Sequence, residues 1–219
     1  EYTPGEYSVF LQDNIDYGGL YAKIGGRYDY FSSDIEGFKP QIVISPRLGF
    51  SFMVTEKFLF RANIGKYTQP PLYDYVYRYY NLLPFPTYMD YLFGAIVGGI
   101  LGNPGLKPEK TISYEIGMQG EIRKNLGLTI NAFYKDVSDL VGVRYGIFGT
   151  ASHYAYFNTE FANIKGVETI LDFSNSMLTG KISYTLSWAK GTSSYAEDIY
   201  WNYYQITRDT IHAPPSTEY

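Results

Sequence analysis

The stretch TISYEIGMQGEIRKNLGLTINAFY, residues Thr111–Tyr134, alternates apolar and polar side chains on both sides of a short polar segment. The apolar positions are Ile112, Tyr114, Ile116, Met118 and Ile122 before that segment and Leu126, Leu128, Ile130, Ala132 and Tyr134 after it. A period of two residues is typical of a β-strand with one apolar face, since successive side chains point to opposite sides. The segment Arg123–Asn125 predicts a hairpin turn between two such strands.

The same alternation recurs along the rest of the chain, which shows no convincing helical period. The remaining predicted strands are Glu6–Tyr17, Gly19–Phe31, Ile44–Val54, Phe58–Tyr67, Asn163–Phe173 and Lys181–Ala189. Together with the two strands of the Thr111–Tyr134 hairpin they make about eight, most of them about 9–13 residues long. A tilted strand that spans a bilayer needs about 9–11 residues, so these lengths suit a membrane barrel.

The connections between the predicted strands alternate strictly in length. The short ones are Tyr17–Gly19, Thr55–Lys57, Arg123–Asn125 and 174–180, and the long ones are Ser32–Val43, Thr68–Lys110, Asp139–Tyr156 and Lys190 to Tyr219. All short turns therefore lie at one end of the sheet and all long loops at the other. Bacterial outer-membrane barrels have this asymmetry, with short periplasmic turns and long extracellular loops.

Composition excludes several classes of protein. The 219 residues carry a net charge of −4 and no basic run, which argues against a nucleic-acid partner. The chain has no cysteine and two histidines, so a disulfide framework, a thiolate metal site and a histidine-rich metal site are excluded. The longest apolar run, Leu92–Leu101, is too short for a membrane-spanning helix, which needs about 20 residues. We expect no cofactor and no metal site.

Several strings, taken in order, resemble one family. They are GRYDYF (Gly26–Phe31), SPRLGFSF (Ser45–Phe52), RANIGKYTQPP (Arg61–Pro71), GNPGLKPEKTISYEIG (Gly102–Gly117), NAFYKDVSDLV (Asn131–Val141) and NIKGVE (Asn163–Glu168). This set is similar to the C-terminal barrel region of TonB-dependent outer-membrane receptors, and the NPGLKPE string followed by YEIG is its most specific part. The resemblance covers essentially the whole chain.

The resemblance implies an all-β fold: an antiparallel transmembrane barrel section in the bacterial outer membrane, with lipid around it. It implies that residues 1–219 are a partial barrel domain, without the family's N-terminal plug and remaining strands. It also implies a receptor that captures a small nutrient with its extracellular loops and imports it through the energy-coupling TonB protein, which contacts the missing N-terminal region. Siderophore, cobalamin, glycan and peptide remain open as ligands.

The candidate ligand-binding residues are aromatic and cationic side chains of two long loops. They are Tyr75, Tyr77, Arg78, Tyr79 and Tyr80 in the longest loop and Trp201 and Tyr204 in the last one. Aromatic rings with polar handles suit many ligands, but the same residues could equally pack the loops into a rigid cap.

Charged residues on the non-lipid face form a second group, expected to face the barrel lumen. They are Arg27, Asp29, Arg47, Arg61, Glu115 and Glu168. Arg27 and Asp29 stand two residues apart on one face, near enough to pair, and lumen ion pairing is favoured there over a direct ligand role.

No catalytic set is expected, and the chain is predicted not to be an enzyme. Ser152 and His153 are adjacent, and adjacent side chains rarely form a productive pair. Asp136 and Asp139 could bind Ca²⁺, although solvated loop carboxylates are the more ordinary interpretation.

Two alternatives to a receptor fragment remain open. One is a stand-alone eight-stranded barrel that acts as an adhesin or structural anchor. The other is a soluble β-sandwich that binds carbohydrate.

Overall fold

The computed structural model describes residues 3–35, 38–78, 100–148 and 151–192. They form one nine-stranded sheet and a single short helix. The strands are β1 Gly5–Tyr17, β2 Leu20–Ser32, β3 Gln41–Thr55, β4 Phe58–Gln69, β5 Ile100–Leu101, β6 Glu109–Arg123, β7 Leu126–Phe148, β8 Ala151–Ser174 and β9 Thr179–Gly191, and the helix is α1 Tyr73–Tyr77. None of the helical structure described is long and apolar enough to cross a membrane.

Eight long strands pair with their neighbours in an antiparallel meander, as the alternating segments predicted. The ninth strand, β5, was not predicted: it has two residues, lies inside the longest connection and pairs in parallel with β8. Strands β1 and β9 form the two margins of this open sheet.

The short turns have the backbone that tight hairpins require. Gly18 and Gly19 have φ of 60° and 88°, and Asn125 has φ of 65°. Positive φ is favoured in glycine and tolerated in asparagine, and it matches the right-handed twist of the flanking strands. The two-residue loops therefore hold Tyr17 opposite Leu20 and Arg123 opposite Leu126, which sets the register of each hairpin.

The register brings the apolar positions of neighbouring strands onto one face. One cross-strand row contains Phe50, Ala62, Ile116 and Ala132, and the next contains Phe52, Phe60, Met118 and Ile130. Large apolar side chains of this apolar face remain exposed, among them Leu48, Ile116, Ile130 and Leu186. A contiguous exposed apolar surface of this extent is expected where a protein meets lipid.

The apolar face ends in aromatic residues and then turns polar. Tyr114 and Tyr134 face each other with ring centroids 6.2 Å apart. One pair further from the short turns, Asp136 Oδ1 accepts a hydrogen bond from Asn163 Nδ2 at 2.6 Å. This sequence of apolar, aromatic and polar rows is the profile of a membrane boundary. Asp13 is an exception: it lies opposite Ile24 on the apolar face of β1.

The structure corrects the expected long connection between Asp139 and Tyr156. Strands β7 and β8 instead continue as an extended hairpin to Phe148 and Ala151. The register shifts between Val137 and Leu140, where Asp139 adopts a φ of 59°. Such a bulge adds a residue to one strand, so the apolar and polar positions after it exchange faces. The alternation seen before the bulge therefore does not continue through it, and the sequence predicts a loop for the rest of the strand.

The two faces predict different tolerance to charge. In the full-length receptor, Ile116→Arg should lower the free energy of unfolding by about 2–4 kcal/mol, since it places a guanidinium in lipid. Ser51→Arg, on the opposite face, should cost much less. Reversible unfolding in lipid vesicles measures both, and equal losses for the two variants would contradict the assignment of the faces.

Candidate functional site

The polar face of the sheet, opposite the apolar one, carries the charges that the sequence placed there. Arg27 Nε lies 2.7 Å from Asp29 Oδ1, as the two-residue spacing predicted. Ser8 of β1 completes the group: its hydroxyl donates to Asp29 Oδ1 at 2.7 Å and accepts from Arg27 Nη2 at 2.8 Å. Asp29 is buried, and these donors satisfy its carboxylate.

A second chain of polar contacts links side chains of β4, β7 and β8 and passes over β6. Arg61 Nη2 of β4 donates to Asn131 Oδ1 of β7 at 2.6 Å, and Asn131 Nδ2 donates to Glu168 Oε2 of β8 at 3.4 Å. Strand β6 lies between Arg61 and Asn131 and presents Gly117. A Cβ at Gly117 would stand 2.3 Å from Asn131 Oδ1, so only glycine leaves room for this contact.

Arg47 and Glu115, the remaining charged residues of this group, each contact one neighbouring side chain. The guanidinium carbon of Arg47 lies 4.6 Å from the centre of the Tyr67 ring, a cation–π arrangement. Glu115 Oε1 accepts from Ser113 Oγ at 3.1 Å. Arg27, Asp29, Arg47, Arg61, Glu115 and Glu168 thus all lie on the polar face.

The two acids considered for calcium interact with different partners. Asp136 accepts from Asn163, and Asp139 Oδ2 lies 2.5 Å from Lys110 Nζ. Their carboxylates therefore do not converge on a common point. The side chains of Ser152 and His153 lie outside the described residues.

The loop end of the sheet is organised around a buried apolar cluster. Val76 of α1, Leu106 of the NPGLKPE segment and Tyr156 of β8 form its centre. Around them pack the partly buried residues Phe38, Tyr75, Tyr77, Ile100, Val141 and Val143. We call these nine residues the loop-end cluster; it joins α1 to the extended β7–β8 hairpin.

Backbone hydrogen bonds clip α1 to the chain that returns from the long loop. Gly102 N donates to Arg78 O at 2.7 Å, and Asn103 N donates to Tyr75 O at 2.9 Å. A Cβ at Gly102 would stand 2.7 Å from Arg78 N and 2.8 Å from Val76 O. Glycine is thus required by the close approach of two backbones.

Side chains of the NPGLKPE segment and of β8 position this returning chain. Asn103 Nδ2 donates to Tyr156 O at 2.8 Å, and Asn158 both donates to Lys107 O and accepts from Lys107 N. Gln41 Nε2 donates to Leu106 O at 2.6 Å. Sequence reasoning missed Tyr156 and Asn158. Tyr156 ends the expected long connection Asp139–Tyr156, and Asn158 lies between that connection and the predicted strand Asn163–Phe173.

The structure brings three of the candidate binding residues together. Tyr75 stacks on Tyr156 with centroids 4.4 Å apart, and the Arg78 guanidinium lies 5.7 Å from the centre of the same Tyr156 ring. Arg78 also forms an ion pair with Asp74. Tyr77 Oη lies 2.9 Å from Ser33 Oγ. Tyr79, Tyr80, Trp201 and Tyr204 lie outside the described residues.

Tyr73 ties α1 to the first strand of the sheet. Its hydroxyl donates a hydrogen bond to the Glu6 carboxylate. That hydrogen bond, followed by partial burial and the negative charges of Glu6 and Tyr77, raises the pKa of Tyr73 to about 12.

The sheet has an apolar outer face and a polar inner face, and the loops at one end pack around the loop-end cluster. Together these features define a section of an outer-membrane barrel. The chain matches the family "TonB dependent receptor-like, beta-barrel" over residues 2–217, and it belongs to that family. It is therefore a bacterial outer-membrane protein of a receptor family.

Solved structures share this fold. The FrpB iron transporter from Neisseria meningitidis (F3-3 variant) is 19% identical with a TM-score of 0.65, over 90% of this chain and 27% of that one. The siderophore receptor PirA from Pseudomonas aeruginosa is 21% identical with a TM-score of 0.65, over 85% and 35%. The outer-membrane transporter YddB from Escherichia coli is 17% identical with a TM-score of 0.66, over 86% and 25%. The chain thus spans about a quarter to a third of the length of these structures.

The close approach at Gly102 predicts the effect of a single methyl group. Gly102→Ala should destabilise the docking of α1 by about 1–3 kcal/mol, because the new Cβ contacts backbone that cannot move aside. Gly26→Ala is the matched control, since nothing lies within 4 Å of its Cβ position. Hydrogen exchange at the Gly102 and Asn103 amides reports the change, and unaltered protection would refute the contact.

The Tyr73–Glu6 hydrogen bond predicts an alkaline transition. The folded-state pKa lies above the ordinary value of 10.0, so the protonated hydroxyl stabilises the docked helix fully below pH 10. This contribution should be lost as the pH rises through about 12. The difference in tyrosinate absorbance between the wild type and Tyr73→Phe, titrated against pH, should have its midpoint near 12. A midpoint near 10.0 would show that the hydrogen bond is absent.

Proposed function

We propose that this chain is the part of a TonB-dependent receptor that binds an iron chelate at its loop end. Import of the chelate is then driven by the TonB protein, which contacts a region of the receptor outside this chain. The observation that carries the proposal is the contact of Tyr75 and Arg78 with the ring of Tyr156, a residue of the loop-end cluster. Aromatic rings beside a guanidinium are the residue types that dominate binding hot spots.

The names of the similar structures support iron as the cargo. FrpB is named an iron transporter and PirA a siderophore receptor. These are properties of those proteins, and at 19–21% identity they show a shared fold. We extend them to this chain as a proposal, and we place a siderophore ahead of cobalamin, glycan or peptide.

The sheet supports a receptor section over the two alternatives. A β-sandwich needs two packed sheets, whereas the described strands form one sheet with a wide exposed apolar face. A stand-alone eight-stranded barrel would close β1 onto β9, whereas these strands remain at opposite margins of the sheet. An open section fits a wall that other strands complete.

The binding role of the loop-end residues can be separated from their packing role. In the full-length receptor, Tyr75→Ala and Arg78→Ala should weaken binding of a ferric siderophore. Truncation of a true anchor should lower the binding free energy by about 2 kcal/mol or more. Tyr77→Ala should be near neutral, because its hydroxyl already contacts Ser33. Affinity is measured by quenching of intrinsic fluorescence with a panel of ferric catecholates and hydroxamates.

The amount of folded receptor at the cell surface must be measured for each variant. Tyr17→Ala is the matched control, since Tyr17 is exposed beside a short turn at the far end of the sheet. If every loss of affinity follows a loss of folded receptor, Tyr75 and Arg78 are cap residues and the assigned binding role is wrong.

A further inference from the structure

Two lysines lie side by side on the outward, apolar side of β8 and β9. Lys165 of β8 is opposite Trp188 of β9, and Lys190, two residues beyond Trp188, is opposite Asn163. Lys165 and Lys190 are therefore diagonal neighbours on one face, about 7–8 Å apart and within reach of each other's long side chains. Both residues are exposed. We call Lys165 and Lys190 the lysine pair.

The lysine pair lies at the level of the aromatic residues that end the apolar face. Lys165 stands nine residues from Ser174, where β8 meets its short turn, and Lys190 stands eleven residues from Thr179 across the same turn. Outward-facing aromatic residues lie eight or nine residues from their own short turns; they are Tyr28, Tyr114, Tyr134 and Trp188. A strand crosses a bilayer in about 9–11 residues, so the lysine pair lies at the boundary nearer the long loops.

Positive charge exceeds negative charge at this boundary. Lys66 of β4 and Lys110 of β6 face the same side, because each stands two residues from an apolar position of its strand. The carboxylates among these four lysines are Asp139, which is paired with Lys110, and Asp136, a diagonal neighbour of Lys165 that accepts a hydrogen bond from an asparagine of β8. Two positive charges are left over. No salt bridge among the described residues holds either member of the lysine pair.

This charge is confined to one end of the outward side. Toward the short turns, and excluding Arg123 at a turn itself, the outward-facing positions of the described strands carry a single charge, that of Asp13. Next to the lysine pair on that side lie the exposed apolar residues Val167, Tyr184 and Leu186. The surface thus combines cations at the bilayer boundary with an apolar strip that continues into the bilayer.

The charge and the position of this surface together indicate what covers it. The long loops of an outer-membrane barrel lie outside the cell, so the boundary at the lysine pair belongs to the outer leaflet. We propose that the lysine pair binds a phosphate group of lipopolysaccharide, the glycolipid of that leaflet, while the acyl chains of the lipid lie along the apolar strip. This inference does not depend on the cargo that the receptor imports.

The chemistry of the surface suits such a headgroup. Ammonium groups form charge-assisted hydrogen bonds with phosphate oxygens. The indole N–H of Trp188, which is 50% exposed between the two lysines, supplies a neutral donor beside them. Basic residues beside a membrane surface attract anionic lipid, and the attraction falls within a Debye length, so only lysines at the boundary itself serve this purpose.

The experiment titrates lipids into the delipidated full-length receptor in detergent and measures the bound fraction by native mass spectrometry. The probes are lipid A with both phosphate groups, the same lipid A with both phosphates removed, and phosphatidylglycerol, and inorganic phosphate serves as a competitor. The test variant is Lys165→Gln/Lys190→Gln. The matched control, Lys57→Gln/Lys124→Gln, removes the same charge from two short turns at the other end of the sheet. Lys165→Arg/Lys190→Arg keeps the charge.

We expect the wild type to bind phosphorylated lipid A more tightly than either other lipid, with an affinity that falls as salt rises. The Gln variant should bind phosphorylated lipid A about tenfold or more weakly, as expected for the loss of two lysines at a charged membrane surface. Its affinity for the phosphate-free lipid should not change. The Arg variant and the turn control should match the wild type.

Several results would overturn the inference while leaving the proposed function standing. Equal binding of phosphorylated and phosphate-free lipid A, or an unchanged affinity in the Gln variant, would show that the lysine pair does not recognise the headgroup. Phosphatidylglycerol bound as tightly as lipid A, or lipid A released by inorganic phosphate, would show that the site is not one for lipopolysaccharide. A fall in the melting temperature of the lipid-free Gln variant, absent from the Arg variant, would show that the lysines pair with an acid of the receptor itself.

Discussion

Hydrogen bonding of the backbone within a bilayer is the constraint on which the rest of this structure depends. Lipid offers no partner to a peptide N–H or C=O, so a membrane wall made of strands must satisfy these groups between the strands. The continuous pairing from β1 through β4 and β6 to β9 does so. It also forces the period of two, because each strand must present one face to lipid and the other to the interior. A slip of one residue would exchange the faces, which explains why the hairpin turns are so short.

The constraint relaxes where the strands leave the lipid. Beyond the polar pair Asp136–Asn163, the β7–β8 hairpin contains a bulge at Asp139 and a shift of register. Water can satisfy a backbone group there, so irregular geometry costs less. The hairpin then reaches the loop end, where Tyr156 contributes to the apolar cluster and Asn158 bonds the backbone of the returning chain. The same two strands therefore serve first as membrane wall and then as a support for the loops.

The loop end shows how packing and binding compete for the same aromatic residues. Tyr75 is half-buried and stacked on Tyr156, so at least part of its surface stabilises the cap. Tyr77 is held by Ser33, and Tyr73 by Glu6. These contacts fasten α1 on two sides, to the first hairpin and to the β7–β8 extension. Loops already held in a rigid cap lose less conformational entropy when a ligand binds, so the two roles do not exclude each other.

The sequence by itself determined the eight long strands within the membrane, the faces they present and the end of the sheet at which the long loops lie; it did not reveal β5 or the extension of β7 and β8. These follow from local rules: the alternation of side chains in Thr111–Tyr134, the glycines at 18 and 19, and the alternation of short and long connections along the chain. It also predicted the Arg27–Asp29 pair, since two residues of one strand face are always neighbours. Only the tertiary structure decided the contacts between distant segments. The contact of Arg61 with Asn131 across Gly117 and the clip between Gly102 and α1 both join residues that lie far apart in the chain. Register determines such contacts, and register depends on every turn, bulge and pairing along the sheet rather than on any one stretch of sequence.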